Sequence, residues 1–475
     1  MSEKLIAKID VPSSTSTGVP SPDRRKLAYI LTANGRSRVF VNGEEGKPYD
    51  IIEPSSLIFS PDSQHLAYVA QLGDKPRVVV DGREGKLYEG MAATSLVFSP
   101  DSQHYGYVAQ HNNGVIVVID DKESQSFEGI REGASIIFSP DSHHVAYGAQ
   151  RGNGVFVVVD GKEWQSYDDL GKGSLIISPD SQHVSYVAMK GTKQLVVTDN
   201  KEERLYDGVL AGTLVFSPNS RLMAYVAQVG KKQLVVVDGT ESRPYDRTVS
   251  GPPLFSPDSQ RFAYGAQVGK KWFVITDENT GKSWDIVGNI SFSPDSQHIA
   301  YGAQSNGKNL VVVDGKEGKL YDAIWPGSII FSPNSKRISY AAKIRKFFGE
   351  KVFAVVDGKE EKQYDNVSSH PIFSQNSQRI AYRAELKKKI FVVVDGKAGK
   401  SYDGTGEPIF SPDSQHVIYG AKEGNRYIVV KDEKEGNPFD GIVSTGKESE
   451  IVVSADHFNY LGLRGNEIYS VEESF

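Results

Sequence analysis

The sequence predicts an all-β fold in which twelve four-stranded sheets form one closed ring. One phrase, seen as FSPDSQHLAYVAQ at Phe59–Gln71 and as VVVDGKEGKLYDA at Val311–Ala323, recurs along the 475 residues at intervals of 37 to 42 residues. Each copy holds four short β-type runs separated by turn residues. The runs are continuously apolar, as expected for sheets packed between two other sheets. Such a repeat is typical of a β-propeller.

The second copy illustrates the four strands expected in each sheet, or blade. They are predicted at Ser56–Ser60, His65–Gln71, Arg77–Asp81 and Lys86–Glu89. A Ser-Pro-Asp turn separates the first two strands, and an Asp-Gly pair, which tolerates the positive φ of tight hairpins, separates the last two.

Aromatic residues recur at two places in the repeat and are expected to fill the layers between blades. The second strand carries a tyrosine at Tyr29, Tyr68, Tyr107, Tyr147, Tyr186, Tyr225, Tyr264, Tyr301, Tyr340, Tyr382, Tyr419 and Tyr460. The fourth strand carries Tyr49, Tyr88, Phe127, Tyr167, Tyr206, Tyr245, Trp284, Tyr321, Tyr364, Tyr402 and Phe439.

The Ser-Pro-Asp turn followed by an apolar-Ala-Tyr strand resembles the WD-repeat-like propeller family of TolB and of prolyl-oligopeptidase-type enzymes. The resemblance covers essentially the whole chain and implies a β-propeller. Two features depart from that family. Serine stands at Ser63, Ser102 and Ser142, where the family often has glycine, and the chain has twice the six copies of the TolB ring.

The twelve copies predict one ring, with two six-bladed rings as the alternative. Blades one to eleven are placed in residues 19–449, and three strands of blade twelve in 450–475. Residues 1–18 supply its missing fourth strand and a connector, with Ile6 in the aromatic slot. Pairing this segment with blade twelve would cover an open strand edge.

Composition limits the classes of function. The net charge is −6, there is no cysteine, and no segment has the apolar length of a signal peptide or membrane span. We therefore expect a soluble, monomeric protein without nucleic-acid binding or membrane insertion. The compartment is undetermined: the chain as given is cytoplasmic, or periplasmic if a signal peptide was removed.

No catalytic or metal-binding motif is recognised, so neither an active site nor a cofactor is predicted. Histidines recur after the turn, but equivalent residues on neighbouring blades lie about 10 Å apart, too far to share a metal. They are interpreted as polar edge residues of the second strand. The recurrent histidines are His65, His104, His144, His183, His298 and His416.

The hairpins between strands two and three are rich in cations and all lie on one face of the ring. The repeat symmetry is broken there in copies nine and ten, where aromatic rings accompany cations. We predict a site for a protein or anionic ligand at Trp325, Lys343, Arg345, Lys346, Phe347, Phe348, Lys387, Lys388 and Lys389. The protein is thus predicted to be a non-catalytic scaffold or binding module. The alternatives are an enzyme with its site in the central channel and a lectin-like carbohydrate binder.

Overall fold

A computed structural model describes residues 1–8, 18–131, 135–249, 251–346, 349–368, 370–443 and 450–475. These residues form twelve antiparallel sheets, each with four strand positions. The strands are called inner, second, third and outer, in order from the ring axis. Among the described residues, no helix is long and apolar enough to span a lipid bilayer. The twelve-bladed β-propeller predicted from the repeat is confirmed.

The strand bounds repeat closely from blade to blade. The inner strands are Gly18–Pro20, Ile51–Ile52 with Ile58–Phe59, Gly90–Phe98, Gly129–Ile130 with Ile137–Phe138, Asp169–Leu170 with Ile176–Ile177, Gly208–Val209 with Val215–Phe216, Arg247–Thr248 with Leu254–Phe255, Ile286–Phe292, Ala323–Ile324 with Ile330–Phe331, Asn366–Val367 with Ile372–Phe373, Gly404–Thr405 with Ile409–Phe410, and Gly441–Ile442 with Val452–Val453. The second strands are Leu27–Ala33, Leu66–Leu72, Tyr105–His111, Val145–Arg151, Val184–Lys190, Met223–Val229, Phe262–Val268, Ile299–Ser305, Ile338–Lys346, Ile380–Leu386, Val417–Glu423 and His457–Arg464. The third strands are Arg36–Val41, Lys75–Val80, Gly114–Ile119, Gly154–Val159, Lys193–Thr198, Lys232–Val237, Lys271–Thr276, Lys308–Val313, Gly349–Val356, Lys389–Val394, Arg426–Lys431 and Glu467–Ser474. The outer strands are Glu44–Glu45, Arg83–Glu84, Lys122–Glu123, Lys162–Glu163, Lys201–Glu202, Thr240–Glu241, Asn279–Trp284, Lys316–Glu317, Lys359–Glu360, Lys397–Ala398, Lys434–Glu435 and, for blade twelve, Ser2–Lys8.

Most inner strands begin earlier than the sequence predicted, because they consist of two segments. In blade two, Ile51–Ile52 pairs with the second strand before a short 3-10 turn, and Ile58–Phe59 pairs after it. In blade twelve the first segment is Gly441–Ile442, so this blade starts before residue 450, where the sequence had placed its start. The earlier segment lacks the apolar run that marks the later one.

The recurring aromatic residues form the predicted layers between blades. Tyr49, at the end of the outer strand of blade one, packs edge-on against Tyr68 of blade two with ring centroids 6.2 Å apart. Both rings are buried, and the Tyr49 hydroxyl donates a hydrogen bond to Glu84, 3.0 Å away. Equivalent edge-on pairs recur around the ring, so the interpretation of both aromatic sets as core is confirmed.

The alternative of two six-bladed rings is wrong, because blade six packs on blade seven as any other neighbours do. Val226, Val235 and Tyr245 of blade six share one buried cluster with Tyr264 and Ile275 of blade seven. A second ring axis would require this interface to be replaced by contacts of blade six with blade one.

The ring closes through the N-terminal strand, as predicted. Ser2–Lys8 pairs antiparallel with the third strand of blade twelve, and Ile6 is buried against the second strand of blade one. The predicted register is wrong by one residue: Ala7, and not Ile6, pairs with Ile468, the place taken by the aromatic residue elsewhere. A bulge between Leu5 and Ala7 causes the shift and still leaves Ile6 in the core.

The Ser-Pro-Asp turns lock adjacent blades together on one face of the ring, which we call the turn face. Within the turn of blade two, the Ser60 hydroxyl and the Gln64 amide donate hydrogen bonds to Asp62. The Asp62 amide in turn donates to the Ser102 hydroxyl of blade three, 3.0 Å away. Ten such bonds between neighbouring blades are present among the described residues.

The hydrogen bonds of these turns give serine a role at Ser63, Ser102 and Ser142, the positions at which the WD-repeat-like family that the sequence resembles often has glycine. Ser102 has a φ of 67°, a conformation that favours glycine, and its side chain is buried. Only a residue with a side-chain oxygen can accept the amide of the preceding blade, so the hydrogen bond offsets the backbone strain.

Candidate binding face

The recurrent histidines belong to the turn face and are held by acids of their own blade. His65 Nδ1 lies 2.7 Å from Asp81 Oδ2, and Asp81 Oδ1 also accepts the Leu66 amide. The same arrangement recurs at the other five histidines. Among the described residues, no three histidine, aspartate or glutamate side chains are grouped to hold a metal ion. The structure thus places these histidines as polar edge residues of the second strand, as the sequence indicated.

The opposite face, which we call the hairpin face, carries the hairpins between second and third strands and the connections between blades. Acids at the ends of outer strands bind these hairpins, and seven of them in the described part of the chain bridge two hairpins. Asp365 Oδ1 accepts the Lys351 ammonium of its own blade at 2.9 Å, and Asp365 Oδ2 accepts the Lys387 amide of the next blade at 2.7 Å. The Lys351 hydrogen bond, followed by the Lys387 amide, holds the pKa of Asp365 below its usual value.

This bridging reduces the positive charge that the hairpins present. Eight hairpin cations pair with the acid that ends the outer strand of their own blade: Arg36 with Asp50, Lys75 with Glu89, Lys193 with Asp207, Lys232 with Asp246, Lys271 with Asp285, Lys308 with Asp322, Lys351 with Asp365, and Lys389 with Asp403. The acids also fix the spacing of neighbouring hairpins, since nine of their equivalents accept an amide of the next blade. This second role of the acids was not predicted from the sequence.

Blade nine departs most from the repeat on this face. Its second and third strands have nine and eight residues, against seven and six in blade ten. At the base of this hairpin, Lys343 occupies the second-strand position of Gln71 in blade two, and its Nζ lies 5.9 Å from the centroid of the Trp325 ring. Glu350, which the sequence analysis did not single out, accepts hydrogen bonds from Lys343 at 2.9 Å and Arg345 at 3.0 Å. These contacts hold the pKa of Glu350 below its usual value, Lys343 contributing most.

Three of the predicted residues cannot be placed in this arrangement. Phe347 and Phe348 lie outside the described residues, as does the side chain of Lys346.

Trp325 is half-buried against the interface of blades nine and ten, so part of its ring faces solvent. The structure therefore brings together Trp325, Lys343 and Arg345 of the predicted set.

The three lysines of blade ten lie on the neighbouring hairpin. Lys387 and Lys388 occupy its tip with φ values of 53° and 62°, and both side chains are exposed. Lys389 pairs with Asp403 at 2.8 Å. No ion pair within the described residues holds Lys387 or Lys388, so these two are the cations of the predicted set with most freedom to contact a ligand.

Comparison with known proteins extends only to the fold. No protein-family model matches the chain, and no curated protein matches it by sequence. A eukaryotic initiation factor structure is 14% identical, with a TM-score of 0.36, and the match covers 71% of this chain and 95% of that one. The Dos1 propeller is 13% identical, with a TM-score of 0.31 and coverage of 71% and 92%.

A third solved structure, the β-propeller domain of the Trilobed protease from Pyrococcus furiosus, is also similar. It is 15% identical, with a TM-score of 0.26, and the match covers 53% of this chain and 91% of that chain. At these identities the likenesses concern architecture alone. The chain is a twelve-bladed β-propeller on the evidence of its own sheets.

Proposed function

We propose that the protein is a non-catalytic scaffold or binding module that holds a protein or anionic ligand on the hairpin face. The observation that carries the proposal is the long hairpin of blade nine, which stands beside the exposed Lys387 and Lys388 of blade ten. Two added residues on each strand extend this hairpin by about 7 Å at roughly 3.3 Å per residue. A raised ridge beside free cations offers both shape and charge to a partner.

The use of acidic and histidine side chains elsewhere supports the non-catalytic part of the proposal. The six recurrent turn-face histidines are each bound to an aspartate of a tight hairpin, and seven hairpin-face acids among the described residues bridge two hairpins, as Asp365 does. Histidine and acidic side chains that make such contacts already have a role in stabilising the fold. An enzyme would need convergent acids and bases left over for chemistry.

Binding of poly-L-glutamate, measured by titration at low and high salt, tests the anionic part of this function. Reversal of Lys387, Lys388 and Lys389 to Glu should weaken binding by about tenfold or more, since it replaces attraction by repulsion at the contact. Added salt should weaken binding by the wild type, because exposed charges are screened over about 10 Å at 0.1 M.

A matched control carries the same charge change on the turn face, where Lys122, Lys162 and Lys201 are exposed. Their reversal to Glu should leave the affinity within about twofold of wild type. Equal losses in both triple variants would mean that net charge alone drives binding, and an unchanged affinity in the hairpin variant would exclude this patch.

A further inference from the structure

A cavity of about 670 Å³ lies between blades seven and eight. Its wall includes Arg247, Pro252, Trp272, Gly288 and Asn289. A volume of this size lies within the range of about 300–1,000 Å³ typical of ligand sites.

Repeat eight is short beside this cavity. Pro257 and Pro294 are 37 residues apart, against 39 for most repeats, and Gln375 and Pro412 are equally close. In five blades of the described part of the chain, the inner-strand loop carries a hydroxyl residue that accepts an amide of the second strand: Ser56, Ser95, Ser174, Thr213 and Ser328. In blade eight the inner strand Ile286–Phe292 runs without that loop, and Gly288 and Asn289 stand in its place.

Two side chains at the cavity also depart from the repeat. Trp272 occupies the position of Gln233 in blade six and Asn309 in blade eight, and it is half-buried. Arg247 occupies the position of Gly208 in blade six and Ile286 in blade eight. The shortened loop, a large aromatic ring and a guanidinium therefore coincide at one junction.

The positive charge of Arg247 has no acidic partner among the described residues. Its side chain is exposed, and no ion pair or side-chain hydrogen bond joins it to another described residue. The nearest acids along the chain are already used, because Asp246 pairs with Lys232 and Asp285 pairs with Lys271. Lys231 and Lys270 on the adjacent hairpin tips are likewise exposed and without ion pairs to the described residues. The surroundings of the cavity are thus positively charged.

The cavity continues toward the predicted binding patch. A smaller cavity of about 180 Å³ between blades eight and nine shares Gly288 and Asn289 with it and is lined by Trp325. Two blade spacings of about 10 Å each correspond to about six residues of extended chain. A single strand-like segment could therefore cover Trp272 and Trp325 together.

We propose that this groove binds an extended acidic peptide, with an apolar side chain in the larger cavity and a carboxylate on Arg247. The proposal rests on the proposed binding function and specifies its ligand and site. Guanidinium groups pair with carboxylates in two parallel hydrogen bonds, and half-buried tryptophans anchor apolar side chains. Charge complementarity selects an acidic segment over a basic or neutral one.

A library of nine-residue peptides with Leu or Trp flanked by Glu tests the proposal by fluorescence polarisation, against a library with Lys in place of Glu. We expect the acidic library alone to bind wild-type protein. Arg247→Glu should weaken binding about tenfold or more, because it reverses the charge at the carboxylate contact. Gly288→Leu should do the same by filling the groove. A Cβ at residue 288 would lie 3.6 Å from the Gly302 carbonyl oxygen, which is an ordinary contact.

Arg221→Glu is the matched control, since Arg221 is an exposed arginine of a turn-face turn in the same half of the ring. It should leave binding within about twofold of wild type. With peptides that contain Leu and no Trp, the intrinsic fluorescence change on binding should be smaller in Trp272→Phe, in which Trp325 remains, while melting temperatures confirm that each variant is folded.

Absence of binding by the acidic library, or equal binding of both libraries, would overturn the proposal. So would binding that Arg247→Glu and Gly288→Leu leave unchanged. If such binding were instead lost on reversal of Lys387, Lys388 and Lys389, the general binding function would stand and the groove would be excluded as its site.

Discussion

The two faces of the ring are built from the same repeat but follow different rules. On the turn face, ten blade junctions share one hydrogen bond with the same geometry, from an Asp or Asn amide to a serine hydroxyl. On the hairpin face, the acids form a comparable belt, but the hairpins differ in length, charge and aromatic content. Both faces therefore join neighbouring blades by hydrogen bonds, but only the turns keep nearly the same length and composition from blade to blade.

This difference shows which of the repeated side chains have a structural role. A side chain repeated in nearly every blade, such as the turn serine, has a partner in the neighbouring blade. Of the side chains that occur once, Trp272 packs against the buried cluster between blades seven and eight, whereas Arg247 is exposed and has no ion pair among the described residues.

Deletion of residues 1–10 should have the largest effect, because both faces require a closed ring. It would expose Leu27 and Tyr29 of blade one and leave the third strand of blade twelve as an open edge. We expect a clearly lower melting temperature and aggregation on heating, measured by circular dichroism and light scattering. Leu5→Ser is the control, since Leu5 is 48% exposed, and unchanged stability of the deletion variant would contradict this account of closure.

Replacement of a turn serine should have the next largest effect. Ser102→Ala leaves the Asp62 amide without its acceptor and keeps the strained φ, so we expect a loss of about 1–2 kcal/mol. Ser102→Gly loses the acceptor but relieves the strain and should cost less. Chemical denaturation measures the free energy of unfolding of both variants. An alanine variant as stable as wild type would show that the hydrogen bond between Asp62 and Ser102 does not stabilise the turn face.

The pH dependence of stability should differ between the faces in its response to salt. The pKa of Asp62 is lowered mainly by the Ser60 hydroxyl, whereas that of Asp246 is lowered mainly by the Lys232 ammonium. Both folded-state pKa values lie below the unfolded value of about 3.9, so these groups stabilise fully above that pH and stop doing so as pH falls through the folded value.

High salt should therefore reduce the hairpin-face part of this dependence and leave the turn-face part, because only the former is an ion pair. Asn replaces Asp in three natural turns, and Asn219 accepts the same Ser217 and Arg221 hydrogen bonds. Changing Asp62, Asp101 and Asp141 to Asn should reduce the loss of melting temperature between pH 7 and pH 3 in high salt. An equal loss in wild type and this variant would contradict the assignment.

Lys388→Gly should have the smallest effect and the opposite sign. Lys388 has a φ of 62°, close to that of Ser102. Unlike the Ser102 hydroxyl, its exposed ammonium group cannot accept an amide hydrogen bond from a neighbouring blade. Glycine removes the backbone strain, so stability should rise by at most about 1 kcal/mol. A destabilised variant would show that the hairpin tip, too, has a structural partner.

The repeat made the number of blades, the aromatic layers and the closing strand predictable, because each depends on spacing and residue type alone. The register of the closing strand was not predictable, since the bulge at Ile6 shifts pairing without changing which side chains are buried. The first segments of the inner strands were not predicted, because segments such as those that begin at Gly208 and Gly441 lack the apolar run that marks the second segments. The cavity beside blade eight was not predicted, because a sequence displays a shortened loop only as a shorter interval.

The pairing of Ser2–Lys8 with Glu467–Ser474 has a consequence for the newborn chain on the ribosome. Ser2–Lys8 leaves the ribosome before every blade of the ring and cannot pair until Glu467–Ser474 has been translated. At about 5–20 residues per second, synthesis of the intervening blades takes about half a minute to a minute and a half. For that time the nascent ring is an open arc with an uncovered flank on blade one, and this is the interval in which a chaperone would act on it.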